Sequence, residues 1–237
     1  MRWSIDELHL GVKETYVIAR VETGRSEWSS GGKVWRSGPG SLQIQRPGDV
    51  CRDVSRDGPS TCQIITLTAS AVESVIGKVR VHPQLEPEDE RGAAFQRLHD
   101  AVRDRVDRLT LEVAVVEAIE SFARVQVSDA KREHTRPVRR AVELLRVRLA
   151  EAVTLDDLAA YAALDKFHLC RAFRAQVGMP PHGYLTHLRI LRAKELLAAG
   201  MKPSKTALQV GFYDQSQLNR HFRRIVGTTP GQYARNN

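Results

Sequence analysis

The first 70 residues are patterned in short runs of β-branched, aromatic and partly alternating apolar positions, at 16–21, 33–35, 41–45 and 61–68. Such runs predict strands. Turn formers separate them: Gly31-Gly32, Ser37-Gly38-Pro39-Gly40, Pro47-Gly48-Asp49 and Asp57-Gly58-Pro59. Strands broken by turns every roughly 8–12 residues predict a small antiparallel barrel or sandwich. Residues 81–89, with Pro83, Pro87 and neighbouring acids, read as a connector. Beyond it the period becomes helical. Phe95, Leu98, Ala101, Val102 and Val106 line one face, and Thr110 is the predicted cap of a second helix through Leu111, Val113, Val116, Ile119 and Phe122. The two make an antiparallel helical hairpin at about 93–125. The polar stretch 127–136 ends at Pro137, which divides the chain into domains 1–135 and 136–237.

The second domain is helical throughout. Helices are predicted at 138–150, 155–163, 166–177, 181–199, 204–210, 215–226 and 230–235. Thr154, Asp165 and Asp214 stand at N-cap positions, Pro181 and Pro230 in first turns, and Gly178, Gly200 and Gly227 behind helix ends. The fold class is therefore α+β, with a small β domain plus hairpin followed by an all-α domain.

This helical half repeats itself. At a shift of 49 residues, Leu169 pairs with Leu218, Arg171 with Arg220, Phe173 with Phe222, Arg174 with Arg223, Gly178 with Gly227 and Tyr184 with Tyr233. Upstream the shift is 48, pairing Ala159 with Ala207 and Ala163 with Gly211, so the second copy has one more residue in its turn. Helix, tight turn and helix, twice, predict two helix-turn-helix units. Small residues at 159 and 207 permit close helix crossing. The stripes Leu169, Phe173, Val177 and Leu218, Phe222, Val226 anchor each second helix. The remaining positions form the candidate DNA-binding set: Lys166, Phe167, His168, Cys170, Arg171 and Arg174 in the first copy; Gln215, Ser216, Gln217, Asn219, Arg220 and Arg223 in the second. Arg and Lys pair with guanine edges or phosphates, Gln and Asn with adenine. The predicted spacer 181–199 would be about 28 Å long at ~1.5 Å per residue, near the roughly 34 Å between successive major-groove faces.

Charge sharpens this picture. Residues 136–237 hold 17 Lys+Arg against 7 Asp+Glu, a net of +10; residues 1–135 hold 19 against 21, a net of −2. A basic half points to a polyanion. A Lys/Arg face can also be merely solvated, and helix-turn-helix geometry also occurs in proteins that never touch DNA. Two copies on the basic half favour the nucleic-acid reading. A content of 42% hydrophobic and 27% charged residues excludes collagen-like and wholly disordered classes. No apolar run suits a membrane span, and the first residues lack a basic-then-apolar leader pattern, so a cytoplasmic location is expected. Cys51, Cys62 and Cys170 have no C-x-x-C spacing, so neither a disulfide framework nor a metal is expected, and no cofactor is called for.

Residues 138–235 resemble the DNA-binding domain of the AraC/XylS family of bacterial transcription regulators, most clearly from Ala207 to Arg235. The resemblance implies that 1–135 is the companion domain, a cupin-like β-barrel followed by a dimerisation hairpin, with the turns at 39–42 and 47–50 as its paired turns. It implies an operator duplex, a second copy of the chain, RNA polymerase and a small-molecule effector as partners. Trp28 and Trp35 are candidate effector contacts, or else barrel core. Three positions depart from the family pattern. Thr206 replaces a branched apolar residue, which predicts a looser second unit. Ala163 replaces a turn glycine, which predicts a different backbone there. Cys51 replaces a frequent histidine.

Two rival functions belong to other classes. A cupin-type enzyme needs clustered His and carboxylates on the strands, and residues 12–70 contain no histidine. His82, His99 and His134 are read as surface residues; His168, His182, His187 and His221 as helix-surface or phosphate-proximal groups. A non-specific architectural DNA binder is opposed by the two polar, non-identical faces.

Overall fold

Residues 2–4, 10–127 and 134–235 are described in the computed structural model of the chain. The leader reading at the N-terminus and most of the polar stretch 127–136 lie outside the described residues. The chain divides into two compact units, 1–132 and 133–237.

In the first unit, β1 (Arg2–Ser4), β2 (Leu10–Val12), β3 (Tyr16–Thr23), β4 (Ser26–Ser30), β5 (Lys33–Ser37), β6 (Leu42–Gln45), β7 (Val50–Arg56), β8 (Thr61–Leu67) and β9 (Gln84–Leu85) form two antiparallel sheets. Their orders are β1-β8-β3-β6-β9 and β2-β7-β4-β5. Helices α1 (Ala69–Ile76), α2 (Ala93–Asp104) and α3 (Arg108–Ser121) follow the main run of strands. Strand β3 is central: it pairs with β6 and β8, and its first six residues are buried. Alternation sends Tyr16 and Ile18 into a core with Phe95, Leu98, Ile119 and Phe122 of the hairpin. The Phe122 ring stands edge-on to Tyr16 and Phe95, at 5.1 and 5.0 Å. The other parity, Val17 and Ala19, faces a cavity shared with Trp28 and Cys51 of the other sheet. The apolar core therefore lies between sheet and helices, and the space between the sheets is a small cavity lined by both apolar and polar groups. Gly31 and Gly32, both at positive φ, close the β4–β5 hairpin.

Several expectations are corrected here. The connector 81–89 contains β9, which pairs with β6. Strands β4 and β7 are polar in sequence; pairing with each other supplies the stability their side chains do not announce. The cap of α3 is Asp107, not Thr110, because the carboxylate accepts from both the Thr110 N–H (3.1 Å) and its hydroxyl (2.6 Å). Val102, Val113 and Val116 are exposed, because Phe95, Leu98 and Ala101 supply the buried side of α2 and Ala114, Ala118 and Ile119 that of α3. His99 is fully buried rather than on the surface: α2 turns it inward beside Arg20. Arg20 holds α2 to the sheet through Asp100 (2.7 Å) and Gln63 (3.0 Å).

In the second unit, α4 (Arg136–Val147), α5 (Leu155–Ala162), α6 (Lys166–Val177), α7 (Pro181–Ala198), α8 (Pro203–Gln209), α9 (Gln215–Val226) and α10 (Pro230–Arg235) follow the predicted segments closely. The signals were local, so they survive folding: Thr154 and Asp157 form a capping box, and Gly178 and Gly227 end α6 and α9 in the left-handed conformation. The repeat is visible in the packing. Phe173 meets Tyr184 edge-on at 5.8 Å, and Phe222 meets Tyr233 at 5.4 Å. The C-terminal half of α7 (Ile190, Ala193, Leu196, Leu197) joins the core of the second helix-turn-helix.

Candidate nucleic-acid interface

Each recognition helix is set by its cap. Asp165 accepts from the Phe167 and His168 N–H groups, both at 3.0 Å. Asp214 accepts from the Gln217 N–H at 2.7 Å. These carboxylates also complement the positive ends of α6 and α9. Hydrogen bonds from the His168 N–H and imidazole hold the Asp165 carboxyl below its usual pKa. The next link is burial of the stripe: Leu169 and Phe173 in α6, Leu218 and Phe222 in α9, are all fully buried. With those positions inward, 167, 171 and 174 point out in one helix and 216, 220 and 223 in the other.

The candidates are not equivalent. Phe167 is 82% exposed, and Arg171, Arg174, Ser216, Arg220 and Arg223 are exposed. Among the described residues, none of these four arginines makes an ion pair. Lys166 and Gln215 are also exposed, but Lys166 reaches back to Asp156 of α5 at 2.6 Å. His168 and Gln217, each third residue of its helix, serve the caps instead: the His168 ring meets the Asp165 carboxylate, and Gln217 Oε1 accepts the Tyr213 N–H at 2.9 Å. Cys170 is half-buried in an apolar pocket with Leu155, Leu158 and Leu185, whereas its counterpart Asn219 is a half-buried polar group. The two helices thus share an arginine pair and differ in what surrounds it.

The turns explain the departures noted in sequence. Ala163 takes φ +54 and ψ +51, so the first turn keeps the left-handed geometry expected of glycine, against the expectation of a different backbone. Thr206 is fully buried, yet its hydroxyl donates to the Lys202 carbonyl at 3.1 Å, so it is accommodated rather than loosening. Gly211 has φ +88, and a Cβ there would lie 2.6 Å from the Ala150 carbonyl oxygen. Sequence reasoning missed this contact and its partner, Arg189. From α7 the Arg189 guanidinium donates to the carbonyls of Leu149 and Glu151, both at 2.9 Å, and lies over Phe212. The segment after α4 is therefore clamped against the second turn. Only the glycine at 211, opposite an alanine at 163, hinted at it. His221 stacks on Phe212, and burial, then the nearby arginines, lowers its pKa. Tyr213, 87% exposed in the second turn, was also overlooked.

In the first unit the two candidate tryptophans, Trp28 and Trp35, do not share a site. Trp28 is buried at the interior cavity, its Nε1 donating to Ser37 Oγ (2.8 Å) and Gln84 Oε1 (3.2 Å). Trp35 lies in a separate, open pocket beside His82. Among the described residues, no helix is long and apolar enough to cross a membrane.

Comparison with known proteins places both units. Residues 158–236 match the family model of a helix-turn-helix domain, and residues 9–119 that of an AraC-like ligand binding domain. An uncharacterized HTH-type transcriptional regulator, YbfI, of Bacillus subtilis (strain 168) is 29% identical over 215 residues, which cover 86% of this chain and 78% of YbfI. A probable transcriptional regulator, LumQ, of Photobacterium leiognathi is 34% identical over 86 residues, 36% of this chain and 35% of LumQ. The crystal structure of an apo ToxT variant from Vibrio cholerae superposes with a TM-score of 0.54 at 13% identity, over 99% of this chain and 95% of that one; the likeness is one of fold. The relatives are named as transcriptional regulators, and neither matching model describes a catalytic family.

Proposed function

We propose that this chain, which belongs to the AraC family of transcription regulators, grips an operator by inserting α6 and α9 into two successive major-groove segments. The observation that carries this reading is the paired arginines, 171 with 174 and 220 with 223, exposed at matching positions of two helices that flank α7. Helix α7 has 18 residues, about 27 Å at ~1.5 Å per residue, close to one turn of DNA. Arg171 and Arg220 read bases, Arg174 and Arg223 hold phosphates, and the non-arginine neighbours make the sub-sites different: Phe167 and Cys170 against Ser216 and Asn219. Lys166, His168, Gln215 and Gln217 line the edges of these faces.

The test is footprinting together with salt titration of a 136–237 fragment. A footprint with a defined sequence in two sub-sites about ten base pairs apart is expected. With about six to eight phosphates neutralised, the log–log salt slope should be roughly −5 to −7. A slope near zero, or protection without sequence preference, would remove the reading; the latter would favour an architectural binder.

The domain division at about 135/136 assigns the remaining roles. The first domain receives a small-molecule effector and forms a homodimer through the outer side of α3, where Leu109, Val113 and Val116 are 70%, 48% and 56% exposed. RNA polymerase is the protein partner such a cytoplasmic regulator addresses. Sedimentation showing only monomer at micromolar concentration would end the dimer proposal.

A further inference from the structure

The inner faces of the two sheets enclose a cavity of about 100 Å³. Its floor is apolar (Val17, Ala19, Trp28, Ile64), but its walls are not. Gln45 is 95% buried by its 5% exposure, and its Oε1 has no hydrogen-bond partner among the described residues. A buried acceptor left unsatisfied costs free energy, so an interior that retains one is built to be completed by a donor. The charged groups on the cavity are Lys13, Asp53 and Arg56. Asp53 and Arg56 pair with each other, and Lys13 makes no ion pair among the described residues. Burial pushes the Cys51 thiol up to about 12, so that wall is neutral and the cavity carries one excess positive charge. At ~30 Å³ per water the volume holds about three waters, or on the order of five non-hydrogen atoms.

We propose that this cavity binds a small carboxylic acid bearing its own hydroxyl or amino donor, the carboxylate facing Lys13 and the donor facing Gln45 Oε1. The assignment rests on the reading of the first domain as the effector-binding one and names the effector's class. An acid lacking the donor leaves Gln45 unsatisfied. A neutral diol leaves Lys13 uncompensated. A long-chain acid exceeds the volume.

The experiment is calorimetric titration of the full chain with lactate, alanine, propionate and ethylene glycol. Lactate or alanine should bind, and propionate and ethylene glycol should bind about tenfold or more weakly. Gln45→Leu should reduce lactate to the level of propionate, and Lys13→Met should weaken all three acids, with the melting temperature kept in both variants. Absence of binding by lactate and alanine, equal binding of propionate, or binding indifferent to both substitutions overturns the assignment. The discrimination among the four compounds by the unaltered chain stands as a test even if a variant misfolds. Operator affinity measured alongside separates the two ideas. Acids that bind as expected but leave operator affinity unchanged support the ligand site and remove its regulatory role. An effector that shifts operator affinity without depending on Lys13 or Gln45 keeps the regulator reading and overturns this site.

Discussion

The two units use the same residue, arginine, in opposite ways. In the first, several guanidiniums are neutralised at short range: Arg20 by Asp100 (2.7 Å), Arg46 by Asp49 (2.8 Å), Arg91 by Asp89 (2.6 Å) and Arg97 by Glu117 (2.8 Å). In the second, ion pairs also occur, as at Arg148–Glu151 and Arg192–Glu195, and Lys166 of α6 pairs with Asp156. Arg171, Arg174, Arg220 and Arg223 are left without acids within reach. An arginine with a carboxylate partner positions an element of the fold. One held on a rigid helix without such a partner keeps its donors available to an anion from outside. The difference follows from the charge balance of −2 in one half and +10 in the other, made specific by which helix face is buried.

The largest test of this contrast is acid. Burial first, then the Arg20 charge, lowers His99 from the ordinary 6.5 to about 3. The folded state disfavours the imidazolium, so its contribution is complete above about 6.5 and is lost as pH falls toward about 3. The first unit should therefore melt at progressively lower temperature across that window, and His99→Phe should flatten the dependence; an unchanged profile would show that His99 is not the group responsible. Next in size is Gly211→Ala. Positive φ and the approach to Ala150 together should cost about 3 kcal/mol and selectively abolish protection of the second sub-site. Equal loss of both sub-sites would mean that the two units do not fold separately enough to be compared.

Smaller effects sharpen the contrast within the second unit. Arg171→Ala should cost about 1–3 kcal/mol of operator binding and relax preference in one sub-site, and Asn219→Ala should do the same in the other. Uniform weakening across all sequences would reassign either residue to a phosphate. Arg97→Ala, in the first unit, should leave operator binding unmoved. The smallest effect is Ala163→Gly. Relieving a left-handed alanine should raise stability by about 1 kcal/mol, read as a higher melting temperature with an unchanged footprint.

Residues alone determined the helical half almost completely. Period, caps and end glycines are local signals that act within a few residues of where they are written, and the internal repeat presents them twice. They also determined which side of α6 and α9 is buried, and hence Arg171, Arg174, Arg220 and Arg223. Tertiary structure alone decided what depends on partners distant in the chain. Polar strands β4 and β7 exist because they pair with each other; Val113 and Val116 are exposed because alanines took the core side of α3. His168 and Gln217 turned to their caps because a local acceptor or donor, the Asp165 carboxylate or the Tyr213 N–H, lay within reach. The sheet interior was left as a small cavity of mixed lining because β3, apolar on both faces, gave its Tyr16 and Ile18 side to the helices. No period or spacing encodes that choice, since the energy of burying either face is settled only by what arrives to cover it.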